Sequence, residues 1–538
     1  MLPPQHRRAV GQLFAVGFNG TDLNQDITSL IRDYAVGAIV LFKRNIQDAE
    51  QLQSLCLGLQ TLAKEAGHTQ PLLIGIDQEN GLVTRISPPV AAQLPGSMAL
   101  GAAASLEDAY QVAKATGETL RCFGINMNYA PVGDVNNEPL NPVIGVRSHG
   151  DDPEKVAQLA VECARGLRET RVSPCIKHYP GHGDTTVDSH HELPVINKSR
   201  EELEKTELIP FQRAVADGIE AVMTAHISLP GLGGSSLPAT LSPEAIRMLR
   251  DDLKFRGVIL TDCMEMDGIR AGHGTVEGSL LAIKAGVDSV MICHTHQVQT
   301  AAIDRVCEAI DSGDLPRARI DASLRRLGEL KRKFTSWEAA LARPSLSALV
   351  DLNQRNEALA GQVYAKSTTM VRCQPNLLPL PRTGSTVVVF PGIPVPTSGV
   401  LAPSGEDMEQ TRAPWVSGAA GDRLRRYNSN VVDVFFTDTG LSPDQWEQVD
   451  NAAVVILATR NAREAQHQRH VGLAIAERCR EKTLIAIATC SPHDFLDDEA
   501  EMKNYMALYE PTLEAFSSAA AVLYGALPAA TGTLPVAH

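Results

Sequence analysis

The stretch Val172-Ser173-Pro174-Cys175-Ile176-Lys177-His178-Tyr179-Pro180-Gly181-His182-Gly183-Asp184-Thr185-Thr186-Val187-Asp188-Ser189-His190-His191 changes character at one point. Up to Ile176 it is a short apolar run. From Lys177 to His191 it carries four histidines, two aspartates and a lysine within fifteen residues, with proline and glycine holding the backbone between them. An apolar run that opens into a polar, glycine-punctuated loop reads as a strand end, the place where chemistry is mounted on an α/β scaffold.

The pattern extends in both directions. Residues 1–340 alternate short β-branched runs with longer helical stretches, and the runs 13–18, 37–42, 72–77, 125–131, 174–179, 221–225, 257–262 and 286–293 predict eight strands. Between them, 49–65, 153–169, 199–217 and 243–252 read as crossover helices, the second and last opened by a proline that loses nothing by lacking an N–H there. Eight such units, with no GxGxxG turn after the first strand, predict an α/β fold of the (β/α)8-like, TIM-type barrel class rather than an open dinucleotide-binding sheet. Asp77 then ends strand three, Asp134 follows strand four, Lys177 and His178 end strand five, His226 follows strand six and Asp262 ends strand seven. In a barrel those ends share one face and surround one pocket.

At 538 residues the chain exceeds what one core supports, roughly 250–300 residues. Residues 341–385 read as a linker, with a helix-like stretch 354–365 and a proline-rich end, and 386–538 as a second, C-terminal α/β sandwich domain with strands at 386–390, 431–436, 453–459 and 483–490. The Gly-, Pro- and Ser-rich segment 392–421 reads as a long loop. The net charge of -14, from 49 Lys+Arg against 63 Asp+Glu, gives no reason to expect a nucleic acid or an acidic membrane as partner. Ten scattered cysteines without a CxxC predict free thiols in a reducing compartment, and the absence of a recognisable leader or apolar span makes cytoplasmic residence the expectation.

Two chemistries fit this pocket from residue types alone. One is glycosidic-bond cleavage, with one carboxylate at the sugar carbon and a second group protonating the leaving oxygen. The other is metal-assisted hydrolysis through His178, His182, His190 and an aspartate, against which stand the neighbouring Lys177 and the lack of an HExxH helix. Asp188 and His190, two residues apart, either order a turn or form a proton donor with its orienting carboxylate. Arg147 either meets a ligand or pairs with Asp151; Asp77, with Arg85 on the same rim, either binds ligand hydroxyls or caps a turn. Asp262 closes an apolar run, where a carboxylate needs partners or a purpose.

At this point the chain resembles glycoside hydrolase family 3, in its β-N-acetylglucosaminidase branch. The matching pieces run through the whole first domain: Ile76-Asp77-Gln78-Glu79, Leu94-Pro95-Gly96, Asn128-Tyr129-Ala130-Pro131-Val132, Arg147-Ser148, Lys177 to Gly183, Asp188-Ser189-His190, Met223-Thr224-Ala225-His226 and Leu260-Thr261-Asp262. Leu377-Leu378-Pro379-Leu380, Tyr509-Glu510-Pro511-Thr512 and Gly532-Thr533-Leu534-Pro535-Val536 resemble the family's second domain. The resemblance implies Asp262 as nucleophile, His190 as acid/base with Asp188 as its partner, and Asp77, Arg85, Asp134, Arg147, Lys177 and His178 around a terminal sugar. It implies a small carbohydrate as the binding partner, no cofactor and no metal, and a monomer or homodimer. The chain departs from the family pattern at Leu82, where relatives often carry arginine, and at Cys263, where many carry a second aspartate after the nucleophile.

Overall fold

The computed structural model describes residues 4–189, 192–232, 236–392, 419–528 and 530–537. Strands β1 (Phe14–Val16), β2 (Ala38–Leu41), β3 (Leu73–Ile76), β4 (Met127–Asn128), β5 (Ser173–Tyr179), β6 (Ala221–Thr224), β7 (Val258–Cys263) and β8 (Ser289–Ile292) pair in parallel and close into a barrel, with β8 returning to β1. Each run reads as nearly continuous apolar sequence because it is covered on both faces, by the barrel interior and by the helices outside; all four residues of β2, for example, are buried. Helix starts follow the capping chemistry: Asp48 accepts from the Gln51 amide and Asp152 from the amides of Glu154 and Lys155, opening helices Ala49–Glu65 and Pro153–Glu169.

Two helices differ from expectation. The stretch 199–217 is two helices, Arg200–Leu203 and Ile209–Ala216, because Pro210 cannot donate to the preceding turn and starts a new helix. The stretch 243–252 begins as α-helix Pro243–Arg247 and widens into a π-helical turn over Met248–Asp252. Strand four is also shorter than its run, since Pro131 has no amide to contribute to a ladder.

The second sheet has the order β11-β10-β12-β13-β14-β9. Its members are β9 (Thr369–Arg372), β10 (Thr386–Pro391), β11 (Val431–Phe436), β12 (Val454–Thr459), β13 (Thr483–Ala488) and β14 (Tyr505–Ala507). All neighbours are parallel except β9, which runs antiparallel to β14. Segment 341–385 therefore holds helix Ser347–Ser367 and an edge strand of this sheet. Most of 392–421 lies outside the described residues, and helix Ala419–Arg425 begins before its end. The cysteines are all unpaired, and no described helix is long and apolar enough to cross a membrane.

The barrel and the second sheet meet through buried polar links. Glu510, 1% exposed, accepts from the Gly96 amide at 2.9 Å and from the Tyr364 hydroxyl at 3.1 Å. It thereby joins the loop after β3, helix Ser347–Ser367 and the turn after β14. Residues 532–535 cross back to the barrel: the Thr533 amide donates to Ala102 O at 3.0 Å and the Asp151 amide to Pro535 O at 3.1 Å. Gly150 is required there, because a Cβ on it would stand 2.4 Å from the Pro535 carbonyl oxygen.

Burial pushes the Glu510 carboxyl up to about 8 from an ordinary 4.5. The folded state thus holds this proton more tightly than the unfolded chain, so the stabilisation is full below the ordinary value and is lost as pH rises toward 8. Glu510→Gln, which mimics the protonated acid, is expected to melt near wild type at pH 5 and at least about 2 °C above it at pH 8. Parallel melting curves at both pH values would contradict a protonated Glu510.

Candidate active site

The site grows from the carboxyl ends of β3, β5 and β7 and the loop that follows β4. Asp77 directly follows β3, Lys177 and His178 lie in the last turns of β5, and Asp262 is the penultimate residue of β7. Regular pleating would send the neighbours Lys177 and His178 to opposite faces. The β5–β6 register shifts between Ile176 and Tyr179, however, and Lys177 and His178 both reach carboxylates from the β3 and β4 side. The β7–β8 register likewise shifts between Leu260 and Cys263, around Asp262. Irregular pairing of this kind re-aims side chains without ending the strand.

Lys177, 2% exposed, places Nζ 2.6 Å from Asp77 Oδ1 and 2.6 Å from Glu79 Oε1. Arg147 forks onto the same Glu79, donating from Nε at 2.9 Å and from Nη2 at 2.8 Å. Its Nη2 also stands 3.3 Å from His178 Nε2, while His178 Nδ1 is 2.7 Å from Asp134 Oδ2. Asp134 is fully buried, and its other oxygen accepts from the amides of His178 and His182 at 3.1 and 2.7 Å. The result is one chain of contacts: Asp77, Lys177, Glu79, Arg147, His178, Asp134. Arg85 flanks it, with Nη2 3.9 Å from Asp77 Oδ2 and its guanidinium 5.7 Å from the Phe42 ring centre. Asp262 Oδ1 accepts from the following Cys263 amide at 2.7 Å. The buried Cys175 thiol is pushed up chiefly by burial, and the charges of Lys177, Asp77 and Asp262 all act on it, which marks their convergence.

Burial works against the charges of Glu79, Asp134, Arg147 and Lys177, and their partners outweigh it. Burial would raise Glu79, yet Arg147 and Lys177 hold it well below the usual carboxylate range. Burial would likewise raise Asp134, but His178 and the hydrogen bonds it receives bring it down. Lys177 ends above an ordinary lysine because Asp77 and Glu79 overcome its desolvation. His182 is the exception: burial, then the neighbouring His178, lowers it to about 4, so it is neutral at pH 7.

The loop after β5 is built to stay closed. A Cβ on Gly183 would lie 1.6 Å from the Val135 carbonyl oxygen, so only glycine lets it pack on the loop after β4. His182 Nδ1 meets Thr185 Oγ at 3.0 Å and Nε2 meets Ser189 Oγ at 2.8 Å. The Ser189 carbonyl accepts from the Gly268 amide at 3.2 Å, tying the loop to the helix after β7. Asp188 is buried within this loop; His190 lies outside the described residues.

The sequence alternatives for Arg147 and Asp77 resolve into specific partners. Arg147 takes Glu79, and Asp151 turns instead to the amide of Ala537. Asp77 meets Lys177 rather than capping a turn. His178 and His182 have both ring nitrogens engaged by protein groups, which leaves neither turned to a metal. Sequence reasoning missed Glu79 as the hub, although its place two residues after Asp77 was a legible signal. Leu82, in the position of the family's arginine, packs against an apolar cluster containing Met98, Val146 and Tyr509. Elsewhere on the rim, Cys263, Glu265 and His294 bring metal-ligating atoms together.

A closed parallel barrel with a chain of buried charged side chains at its carboxyl end makes this an α/β-barrel protein with its candidate site where such barrels carry theirs. The pattern of the glycosyl hydrolase family 3 N-terminal domain matches residues 6–330, and the chain belongs to that family. It is similar to β-hexosaminidase A of Pseudoalteromonas piscicida, 34% identical over 343 residues that cover 60% of this chain and 57% of that protein, so it spans just over half of that relative's length. It is also similar to a β-hexosaminidase of Xylella fastidiosa strain M23, 35% identical over 54% of this chain and 85% of the relative. Among solved structures, a family 3 β-N-acetylglucosaminidase from Paenibacillus sp. strain FPU-7 superposes with a TM-score of 0.89 at 36% identity, covering 99% of this chain and 98% of that one. A fungal multi-domain β-N-acetylglucosaminidase of the family gives 0.91 at 34% identity, over 99% of this chain and 60% of that one.

Glu79→Gln and Arg147→Met are each expected to destabilise the protein by about 3 kcal/mol, since each leaves a buried charge short of its partner. Because both act on one network, the double variant should lose clearly less than the sum in denaturant titrations at pH 7. Simple additivity would show that the two groups do not share a network.

Proposed function

We propose that the chain is a retaining, exo-acting β-N-acetylglucosaminidase that removes terminal N-acetylglucosamine from small glycosides, chitooligosaccharides or muropeptides. The observation that carries this reading is one carboxylate, Asp262, at the end of β7, accompanied by the Asp77–Lys177–Glu79–Arg147–His178–Asp134 chain at the ends of β3 to β5. The similarity to two solved structures described as family 3 β-N-acetylglucosaminidases supports the choice of sugar.

In the first step an Asp262 oxygen bonds to the anomeric carbon as the glycosidic C–O bond breaks, and protonated His190 gives its proton to the departing oxygen. Asp188 orients His190 and favours its charged form. In the second step neutral His190 takes a proton from water, whose oxygen displaces Asp262 from the anomeric carbon. Two inversions give net retention. A histidine in this role avoids a second negative charge beside Asp262 and stays loaded at mildly acidic to neutral pH. The anchoring of Ser189 to His182 and to Gly268 suits this role, since it ties the residue before His190 to both the start of its own loop and the segment after β7.

Asp77, Lys177, Arg85, Arg147 and His178 bind the terminal sugar through its hydroxyl and acetamido groups. Asp134 and Glu79 are positioning residues. The first has its oxygens taken by His178 and His182, and the second by Lys177 and Arg147.

Initial rates on p-nitrophenyl β-N-acetylglucosaminide and the matching β-glucoside, with and without phosphate, test the reading. Wild type should strongly prefer the N-acetyl substrate, and Asp262→Asn should lose at least about a thousandfold in kcat. His190→Ala should lose more on poor leaving groups than on p-nitrophenol, which departs with little help from an acid. A faster glucoside, or an unimpaired Asp262→Asn, would sink the assignment. A phosphate-dependent sugar 1-phosphate would replace water by phosphate as the acceptor.

A further inference from the structure

Beyond the sugar-facing ring, one group of ligand atoms is gathered tightly. A Cys263 sulfur, a Glu265 carboxylate oxygen and a His294 ring nitrogen lie within 4.8 Å of one another, the only such group of three among the described residues. They come from adjacent strands: Cys263 ends β7 and Glu265 follows it by two residues, while His294 follows β8. Nothing in the proposed glycoside chemistry uses Glu265 or His294.

Glu265 is oriented by the backbone. Its Oε2 accepts from the amides of Cys293 and His294 at 2.9 and 2.7 Å, and its Oε1 from the Thr295 amide at 3.0 Å. Ordering this turn accounts for the carboxylate. It does not account for a thiol and an imidazole converging on the same oxygens. Oε2 has both lone pairs taken by these amides, while Oε1 accepts one bond and keeps a further lone pair, and outer hydrogen bonds of this sort hold a metal ligand in place. Cys263 is 8% exposed and lies beside a second thiol, Cys293. His294 is only half-buried and packs beside Phe42, with ring centres 5.7 Å apart, so the group has an approach from solvent. Arg44 is the cation beside the cluster, and it directs donors to the carbonyls of Phe18 and Cys293 at 3.1 and 2.8 Å.

We propose that Cys263, Glu265 and His294 form a binding site for a thiophilic divalent cation of the zinc class, with a water at the fourth position. Sulfur, imidazole and carboxylate donors suit such a cation, and bonds of about 2.0–2.3 Å require the three atoms to close only modestly from their present spacing. The site adjoins Asp262, whose Oδ1 accepts from the Cys263 amide at 2.7 Å, so a cation held by the Cys263 sulfur acts on the peptide that orients Asp262.

The test uses the full chain, freed of metal by a chelator and titrated with Co2+ followed by Zn2+, and it stands whether or not the protein cleaves glycosides. One equivalent of Co2+ should produce a near-ultraviolet sulfur-to-cobalt charge-transfer band that Zn2+ bleaches. Cys263→Ser should abolish the band, and His294→Gln should keep it while weakening Co2+ binding at least about tenfold. His294 is half-buried, so its variant keeps the test decisive even where Cys263→Ser folds poorly. Absence of the band in wild type, or equal band and affinity in wild type and His294→Gln, would overturn the proposal.

Discussion

The ammonium of Lys177, 2.6 Å from Asp77 and 2.6 Å from Glu79, is the interaction on which the rest of the site depends. A lysine removed from water in this way is tolerable only with opposite charge at hand, and each carboxylate in turn needs its own cation. Glu79 finds a second one in Arg147, which reaches His178, which reaches Asp134. Strand β5, the loop after β3 and the loop after β4 are thereby fixed to one another. The charged groups satisfy one another, which keeps their side chains oriented.

The same economy explains which parts were legible in the sequence. All eight barrel strands could be read because runs such as Ala38-Ile39-Val40-Leu41 are covered on both sides and carry no polar interruption. The polar residues that end them stood out for the same reason. Strands β9 and β14 escaped notice because they span only four and three residues, and β9 is partly exposed, so neither produces a periodic signal of its own. β9 is held only by pairing with β14 across distant sequence, and β14 lies between it and β13.

At the site, Asp77, Lys177, His178 and Asp134 were readable as strand-end groups, but their division of labour was not. Sequence spacing cannot reveal that Asp134 is fully buried beneath His178, or that Arg147 prefers Glu79 to Asp151, because those choices are made by loops folding over one another. Leu82 and Cys263 were visible as departures from a family pattern. Their surroundings give each a sense: Leu82 joins an apolar cluster with Tyr509 from the segment after β14, and Cys263 joins Glu265 and His294.

The crossing of residues 532–535 onto the barrel has a consequence for the newborn chain. Pro535 O receives the Asp151 amide, and the neighbouring Ser148 hydroxyl donates to the carbonyls of Gly150 and Asp134. The loop that carries Arg147 and supports Asp134 is therefore braced by residues the ribosome adds hundreds of codons later. Until the second sheet has been translated and folded back, the pocket rim lacks this brace.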